Sequence, residues 1–425
     1  MGKLDVIIIG AGIVGLASAF YLKKENKDLN VMVIDKYASY AQGNTSKAAA
    51  GFRDLFSSDP NFKLARSSIS FYDHVQKDLN FNLDMKYVGY MYLLDDDTRK
   101  KYNAVMEGLE RKTKTRRLSR EEITDYFPSI NLDPDKVSME VMKLRPIVEA
   151  FVGLNCGIIE PDLISNYYYN ELEKMGVEFR FSTKIERLNL EPVNKLEYPG
   201  EPFVWQDKKI SSISSSKETF VADDFVIATD VWSSLLLDPL GIDSFAKPKK
   251  RQIFQIKGEN VEKALFNEKK FNEEGILPFT IMPYGVYIRP SIKEKALRVA
   301  VSDDIGRAFE IEDDPYPEEN FYAYNIRPVL LSYLPSLENS RLFSSWAGEY
   351  SISTRDDQPF IFRILNMIIA GVTSGSGVMK ADAIGRVVSS LYSNRTYANF
   401  YDGSSIRSDT FGYLNREVPY EEFVL

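Results

Sequence analysis

With 425 residues, 44% of them hydrophobic and 27% charged, the chain is too long for one ordinary core and has a globular rather than a disordered composition. A formal charge of −8 argues against nucleic acid as the main partner, although a local basic cluster such as Lys112 to Arg117 exists. One cysteine, Cys156, excludes an intramolecular disulfide and a thiolate-built metal site, and one histidine, His74, excludes a Ser-His-Asp triad and any His-rich metal site. No metal centre is expected. The absence of an n-region, a cleavage site and a bilayer-length apolar run predicts a cytoplasmic protein without a transmembrane segment, with peripheral membrane attachment left open.

The apolar run Val6 to Ile9 predicts a first strand, and Gly10-Ala11-Gly12-Ile13-Val14-Gly15 the turn after it. A helix from Ile13 to about Lys24 and a second strand, Val31 to Ile34, closed by Asp35, complete a dinucleotide-binding unit. Each glycine answers a separate steric demand. Gly10 permits the turn, Gly12 lets backbone approach phosphate, and Gly15 lets helix press on strand. The helix N-terminus favours the pyrophosphate, and Asp35 accepts hydrogen bonds from ribose hydroxyls.

Next comes a loop of small and hydroxyl-bearing residues, Gln42 to Arg53, suited to lie against a ligand, and an amphipathic helix around His74. From Tyr87 to about Lys143 the chain makes an excursion, with strand residues Val88 to Leu94, a charged helix, and capping-box spacing at Ser119 and Glu122. It re-enters at Gly157-Ile158-Ile159-Glu160-Pro161-Asp162, with a helix started by Asp162 or Ser165 and stopped at Gly176. Strands are predicted at Val177 to Phe181, Lys184 to Leu190 and Phe225 to Ala228. Residues 240–340, including Gln252 to Lys257 and Val286 to Pro290, read as an antiparallel sheet. Met367 to Val372 is a buried strand, Thr373 to Gly377 a glycine turn, and Val378 to Tyr392 a helix. The expected fold is therefore α/β (α+β overall). A Rossmann-like cofactor domain (1–85, 150–238, 341–425) is interleaved with a substrate domain (86–149, 239–340) on a large, mostly antiparallel sheet.

Only one complete dinucleotide fingerprint is present, so whatever is oxidised delivers its electrons directly to the first cofactor. The second glycine turn lacks a following strand that ends in an acid. Its helix N-terminus, aimed at an isoalloxazine ring, would stabilise the negative charge that grows at N1 and the C2 carbonyl on reduction; the alternative is an ordinary α/β turn. Tyr287 and Arg289 alternate on one strand face, which faces either the substrate cavity or solvent.

These blocks, together with Ala228-Thr229-Asp230-Val231-Trp232-Ser233, Lys249 to Gln252, Trp346-Ala347-Gly348 and Gly375 to Asp382, resemble the FAD-dependent D-amino acid oxidase and sarcosine oxidase superfamily. Within it they are most similar to the archaeal dye-linked L-proline dehydrogenase-like branch. The resemblance implies FAD held by Gly10, Gly12, Ile13, Val14, Gly15, Asp35 and Lys36, and by Gly43, Asn44, Thr45 and Ser46 near the ribityl pyrophosphate and flavin. It adds the Ile185 backbone at the adenine, and Ala228, Thr229, Trp232, Gly375, Gly377, Val378, Met379 and Lys380. Many relatives attach FAD through a cysteine shortly before the segment that is Ser351 to Asp356 here. None stands there, so noncovalent FAD is expected. Arg53 falls where sarcosine oxidase-like relatives bind the substrate carboxylate, with a structural ion pair to Asp54 as the alternative. Sarcosine oxidases carry a flavin-facing lysine that serves oxygen activation; through the glycine turn Met379 aligns with it and Lys380 comes one residue later, which favours a dehydrogenase over an oxidase.

The absence of histidine from the recognised motifs removes the usual base for alcohol oxidation, whereas an amine can bind already deprotonated. The expected reaction is oxidation of a small amino acid or amine, proline- or sarcosine-like, by hydride transfer to FAD, with electrons passed to a quinone, dye or partner protein. A hydroxy-acid or glycerol-phosphate oxidoreductase, and an FAD-bearing electron-transfer subunit, are the alternatives. Homo-oligomerisation is left open.

Overall fold

The computed structural model describes residues 3–266, 269–414 and 416–423. Leu4–Ile9 lies inside a six-stranded sheet ordered Phe360–Ile364, Met367–Gly371, Ala222–Ile227, Leu4–Ile9, Val31–Ile34, Glu178–Arg180. Its pairs are parallel except the Phe360–Ile364 hairpin partner. A parallel sheet is covered on both faces, which is why these strands are apolar throughout rather than alternating. Val6 and Ile8 face the helices Ile13–Glu25, Pro161–Lys174 and Ala381–Tyr392, while Ile7 and Ile9 face a three-stranded antiparallel layer of Ile185–Pro192, Lys208–Ser215 and Thr219–Phe220.

The second unit is an eight-stranded sheet ordered Arg341–Ile352, Lys247–Lys257, Ala296–Ala300, Tyr287–Ser291, Phe279–Ile281, Tyr90–Asp95, Ile147–Gly153, Thr115–Ser119. Its pairs are antiparallel apart from Phe279–Ile281 with Tyr90–Asp95. Phe254, Ile256, Ile288, Leu297, Val299 and Phe151 form its core with the helices beneath. The chain thus visits each sheet more than once, in keeping with interleaved domains.

At three places the local structure departs from the expected pattern. Arg341–Ile352 pairs along Lys247–Lys257 in the eight-stranded sheet, so the boundary drawn at 341 belongs beyond residue 352. The helix after Ile159 begins at Pro161 with Glu160 as its cap, rather than at Asp162 or Ser165, because proline is preorganised for the first helical position. Val378–Lys380 is a 3-10 turn that leads into the α-helix Ala381–Tyr392. The capping box is present, with Ser119 and Glu122 bonding reciprocally.

Candidate cofactor and substrate site

Between the carboxyl ends of the six-stranded sheet and the face of the eight-stranded one lies a cavity of about 520 Å³. Gly10 comes directly after the first strand at φ +108°, and its N–H donates to Ile34 O at 2.8 Å. A Cβ at Gly15 would meet Gly10 O at 1.9 Å, so the helix could not approach the strand with any other residue there. Ile13 N–H, at the start of that helix, donates to Thr45 Oγ1 at 3.1 Å. Asp35 accepts from Ala11 N–H (2.6 Å) and Tyr37 N–H (2.8 Å), and burial still raises its carboxyl above the usual range.

The opposite wall is the second glycine turn. Val372, Ser374 and Gly375 all have positive φ, at 57°, 47° and 79°, and Ser376 N–H closes the turn on Thr373 O at 3.0 Å. Such runs of left-handed backbone persist where the surroundings over-determine them, and they cluster at functional sites. Here the surrounding is Tyr350, whose ring would be 2.2 Å from a Cβ at Gly375.

Of the residues expected at the cofactor, Gly10, Gly12, Ile13, Val14, Asp35, Lys36, Gly43, Asn44, Thr45, Ile185, Ala228, Thr229, Trp232, Gly375, Gly377, Val378 and Met379 line the cavity. Arg53 and Tyr287 line it as well. Four do not. Gly15 acts behind the turn, and Ser46 donates to Gly43 O at 3.4 Å. Lys380 is 1% exposed and donates to Asn61 Oδ1 at 2.7 Å, with the Phe56 ring 4.4 Å away. Arg289 shares its strand face with Tyr287 but lies beyond the cavity, where it pairs with Glu160 at 2.6 Å and donates to Ile159 O. Its expected catalytic role is therefore corrected to an interior ion pair.

Arg53 is not paired with Asp54. That carboxylate is fully buried and taken by Arg66 (2.9 Å) and Thr113 Oγ1 (2.7 Å). Arg53 instead donates through Nη1 to the carbonyls of Leu55 and Phe423 and lies 4.3 Å over the Phe56 ring. It forms no ion pair among the described residues. Tyr90, Phe279, Tyr287 and Tyr350 supply aromatic walls nearby, with Tyr90 stacked on Phe279 at 4.2 Å. Burial keeps the Tyr90 and Tyr287 hydroxyls protonated. His74 pairs with Asp78 at 2.7 Å on its helix and is absent from the cavity lining, as is Cys156, whose thiol burial pushes well up.

Six side-chain polar atoms that are buried without any hydrogen-bond partner belong to lining residues: Asn44 Nδ2, Asp230 Oδ1, Trp232 Nε1, Arg251 Nε, Glu349 Oε2 and Ser351 Oγ. Each such atom costs about 1–3 kcal/mol unless something satisfies it, so their convergence on one cavity marks a large polar ligand. Asp230, Arg251, Glu349 and Ser351 were absent from the expected contacts. Asp230 stands between Thr229 and Trp232, and Glu349 directly succeeds the Trp346-Ala347-Gly348 block. The sequence signal was therefore adjacent, but no spacing rule separates a lining acid from its neighbours. Burial raises the Glu349 carboxyl to about 7.

A strap, residues 303–318, closes over this edge. Lys36 pairs with Asp313 and Lys47 with Asp314, each at 3.0 Å, and Glu312 N–H donates to Glu349 Oε1 at 2.5 Å.

The profile of the FAD dependent oxidoreductase family, DAO, matches residues 5–391. The chain is a member of the DAO family. Among curated proteins, this FAD-dependent oxidoreductase is 23% identical over 423 residues to FAD-dependent oxidoreductase domain-containing protein 1 of Xenopus laevis, covering 92% of this chain and 79% of that one. It is also 23% identical over 407 residues to glycine oxidase of Bacillus subtilis, covering 92% and 93%. Among solved structures, L-proline dehydrogenase from P. horikoshii superimposes with a TM-score of 0.74 at 21% identity over 96% of both chains. The family's cofactor is FAD, and the cavity fits it: a glycine cradle at each end, an acid after the second strand and the cluster of unpartnered polar atoms between.

Among the described residues no helix is long and apolar enough to cross a membrane, and no group of three or more His, Cys, Asp or Glu could hold a metal ion.

Proposed function

We propose that this DAO-family oxidoreductase oxidises a small primary or secondary amino acid, of the proline or sarcosine kind, and passes the electrons to a quinone, dye or partner protein. Bound FAD would supply the acceptor for a hydride equivalent from the amine-bearing carbon. Arg53 carries the reading. It is a cation at the cavity wall whose Nη1 is oriented by two carbonyls, it stands beside aromatic rings, and Asp54 is engaged elsewhere. A guanidinium so placed receives a carboxylate, and the low-polarity surroundings strengthen the pairing.

The lining also favours an amine over an alcohol. The tyrosines keep their protons and no imidazole lines the cavity, so an alcohol proton has no obvious acceptor there. An amine that enters neutral needs none. Aromatic walls at Tyr90, Tyr287 and Tyr350 suit its alkyl part and help to exclude water. Glycine oxidase of Bacillus subtilis, similar along nearly its whole length, supports the amino-acid class.

The test mixes the flavin-loaded protein anaerobically with amines, amino acids and hydroxy acids while the flavin absorbance is monitored. Bleaching by amino acids is expected, and bleaching by hydroxy acids alone would sink the reading. Bleaching by no compound would favour an electron-transfer subunit instead.

A further inference from the structure

The last described residues fold back into the interior beside Arg53. Arg416 forms a buried ion pair with Asp356 at 2.6 Å, and from there the chain runs to Glu421, which is 1% exposed. Its carboxylate accepts from Ser57 N–H and Ser57 Oγ, both at 2.7 Å, from Ser58 Oγ at 2.8 Å, and from Asn61 Nδ2 at 3.2 Å. The other end of the same amide, Asn61 Oδ1, accepts from Lys380 Nζ. Two residues on, Phe423 is fully buried against Tyr92, and its carbonyl accepts from Arg53 Nη1 at 3.2 Å. The segment therefore touches both cations, Lys380 through Asn61 and Arg53 directly.

We propose that Glu421 is a positioning residue for substrate binding: it keeps Lys380 protonated as a second positive charge behind Arg53, and the tail it anchors aims Arg53 into the cavity. This role rests on the carboxylate-bearing substrate proposed for the cavity.

Its physics is that of a buried charge cluster. An ammonium without solvent, between an amide and the Phe56 ring, tends to lose its proton. Burial pulls Lys380 down to about 7; Glu421 and Asp357 oppose that and Arg53 adds to it. The other titratable groups near Arg53 are Tyr90, Tyr92 and Cys156, whose protons burial retains, so they carry no charge at neutral pH. Glu421 stays ionised even though burial opposes it, because the Ser57 and Ser58 donors and Arg53 hold it below the usual carboxylate range. It is thus the strongest attraction that retains the Lys380 proton. Without it the cluster would shed that proton near neutrality, and the field that draws a carboxylate to Arg53 would weaken.

The experiment compares wild type, Glu421→Gln and Glu421→Asp as FAD-loaded full-length proteins. Flavin reduction by the best amino acid is titrated between about pH 6 and about pH 9. In Glu421→Gln the amino acid Kd is expected to rise by at least about tenfold near pH 8, within the range of truncated buried charge pairs. The alkaline loss of binding is expected to move to lower pH, the flavin content to be retained, and Glu421→Asp to restore most of the affinity. An unchanged Kd and pH profile in Glu421→Gln overturns the proposal. A second readout needs no substrate: the pH dependence of Lys380 acetylation by acetic anhydride, measured by mass spectrometry. Its midpoint should be lower in Glu421→Gln than in wild type, and equal midpoints would refute the role of Glu421. If no amino acid reduces wild type yet the midpoints differ, the substrate reading fails while the charge coupling stands.

Discussion

At Arg53 the competing explanation for a buried arginine is gone, because Asp54 is held by Arg66 and Thr113. Replacement by methionine keeps the bulk over Phe56 and removes the charge. Arg53→Met should therefore weaken carboxylate-substrate binding by roughly 2–5 kcal/mol, the range for a truncated buried charge pair. An anaerobic titration of flavin reduction measures it, and an unchanged Kd would show that Arg53 does not hold the substrate. Glu349 makes a prediction of the opposite kind. Its carboxyl is raised to about 7, chiefly by burial, so the folded apoprotein binds a proton that the unfolded chain releases at lower pH. The stability this confers is complete below the unfolded value and is lost as pH rises through about 7. Melting of the cofactor-free protein between about pH 5 and about pH 8 should show wild type losing more Tm than Glu349→Gln, and parallel curves would contradict the assignment.

Among the elements, the two glycine turns do different work, and the sequence separated them correctly by their downstream elements. The first precedes a helix and a strand that ends in Asp35; the second precedes the helix Ala381–Tyr392 alone. The left-handed backbone at Val372 and Ser374 was not legible in the spacing, since neither residue type advertises positive φ. Gly375→Ala should cost about 1–3 kcal/mol for the strained backbone, and the Tyr350 ring at 2.2 Å adds a clash. Loss of Tm together with loss of bound flavin is the expected outcome; a stable, fully loaded variant would place the turn away from the cofactor. The alternation Tyr287, Arg289 was legible as one face of one strand, yet the two residues part company. Strand periodicity gives a face, not its length over the cavity, and Arg289 lies past the end, at Glu160.

Across the whole molecule, the cofactor cavity is built from residues near both ends of the chain, from Gly10 to Met379, with the strap closing its edge. Ligand binding should therefore stabilise both units together. FAD at a hundredfold excess over its Kd should add about 2.7 kcal/mol to the fold, read as a rise in Tm of the apoprotein on reconstitution. Because the sole cysteine is buried away from the cavity, acid precipitation should release all flavin into the supernatant; yellow protein in the pellet would disprove noncovalent attachment. The amino-acid sequence by itself determined the nucleotide cradle, the interleaving of two sheets and the family, because turn sterics and apolar periodicity are local properties written in consecutive residues. Only the tertiary structure decided which charges meet. Arg53 turns from Asp54 to the carbonyl of Phe423, Lys380 turns from the cavity to Asn61 and Glu421, and Arg289 is spent on Glu160. Those pairings join residues hundreds of positions apart, and they arise from how packing removes each charge from water and which opposite charge the fold brings within reach.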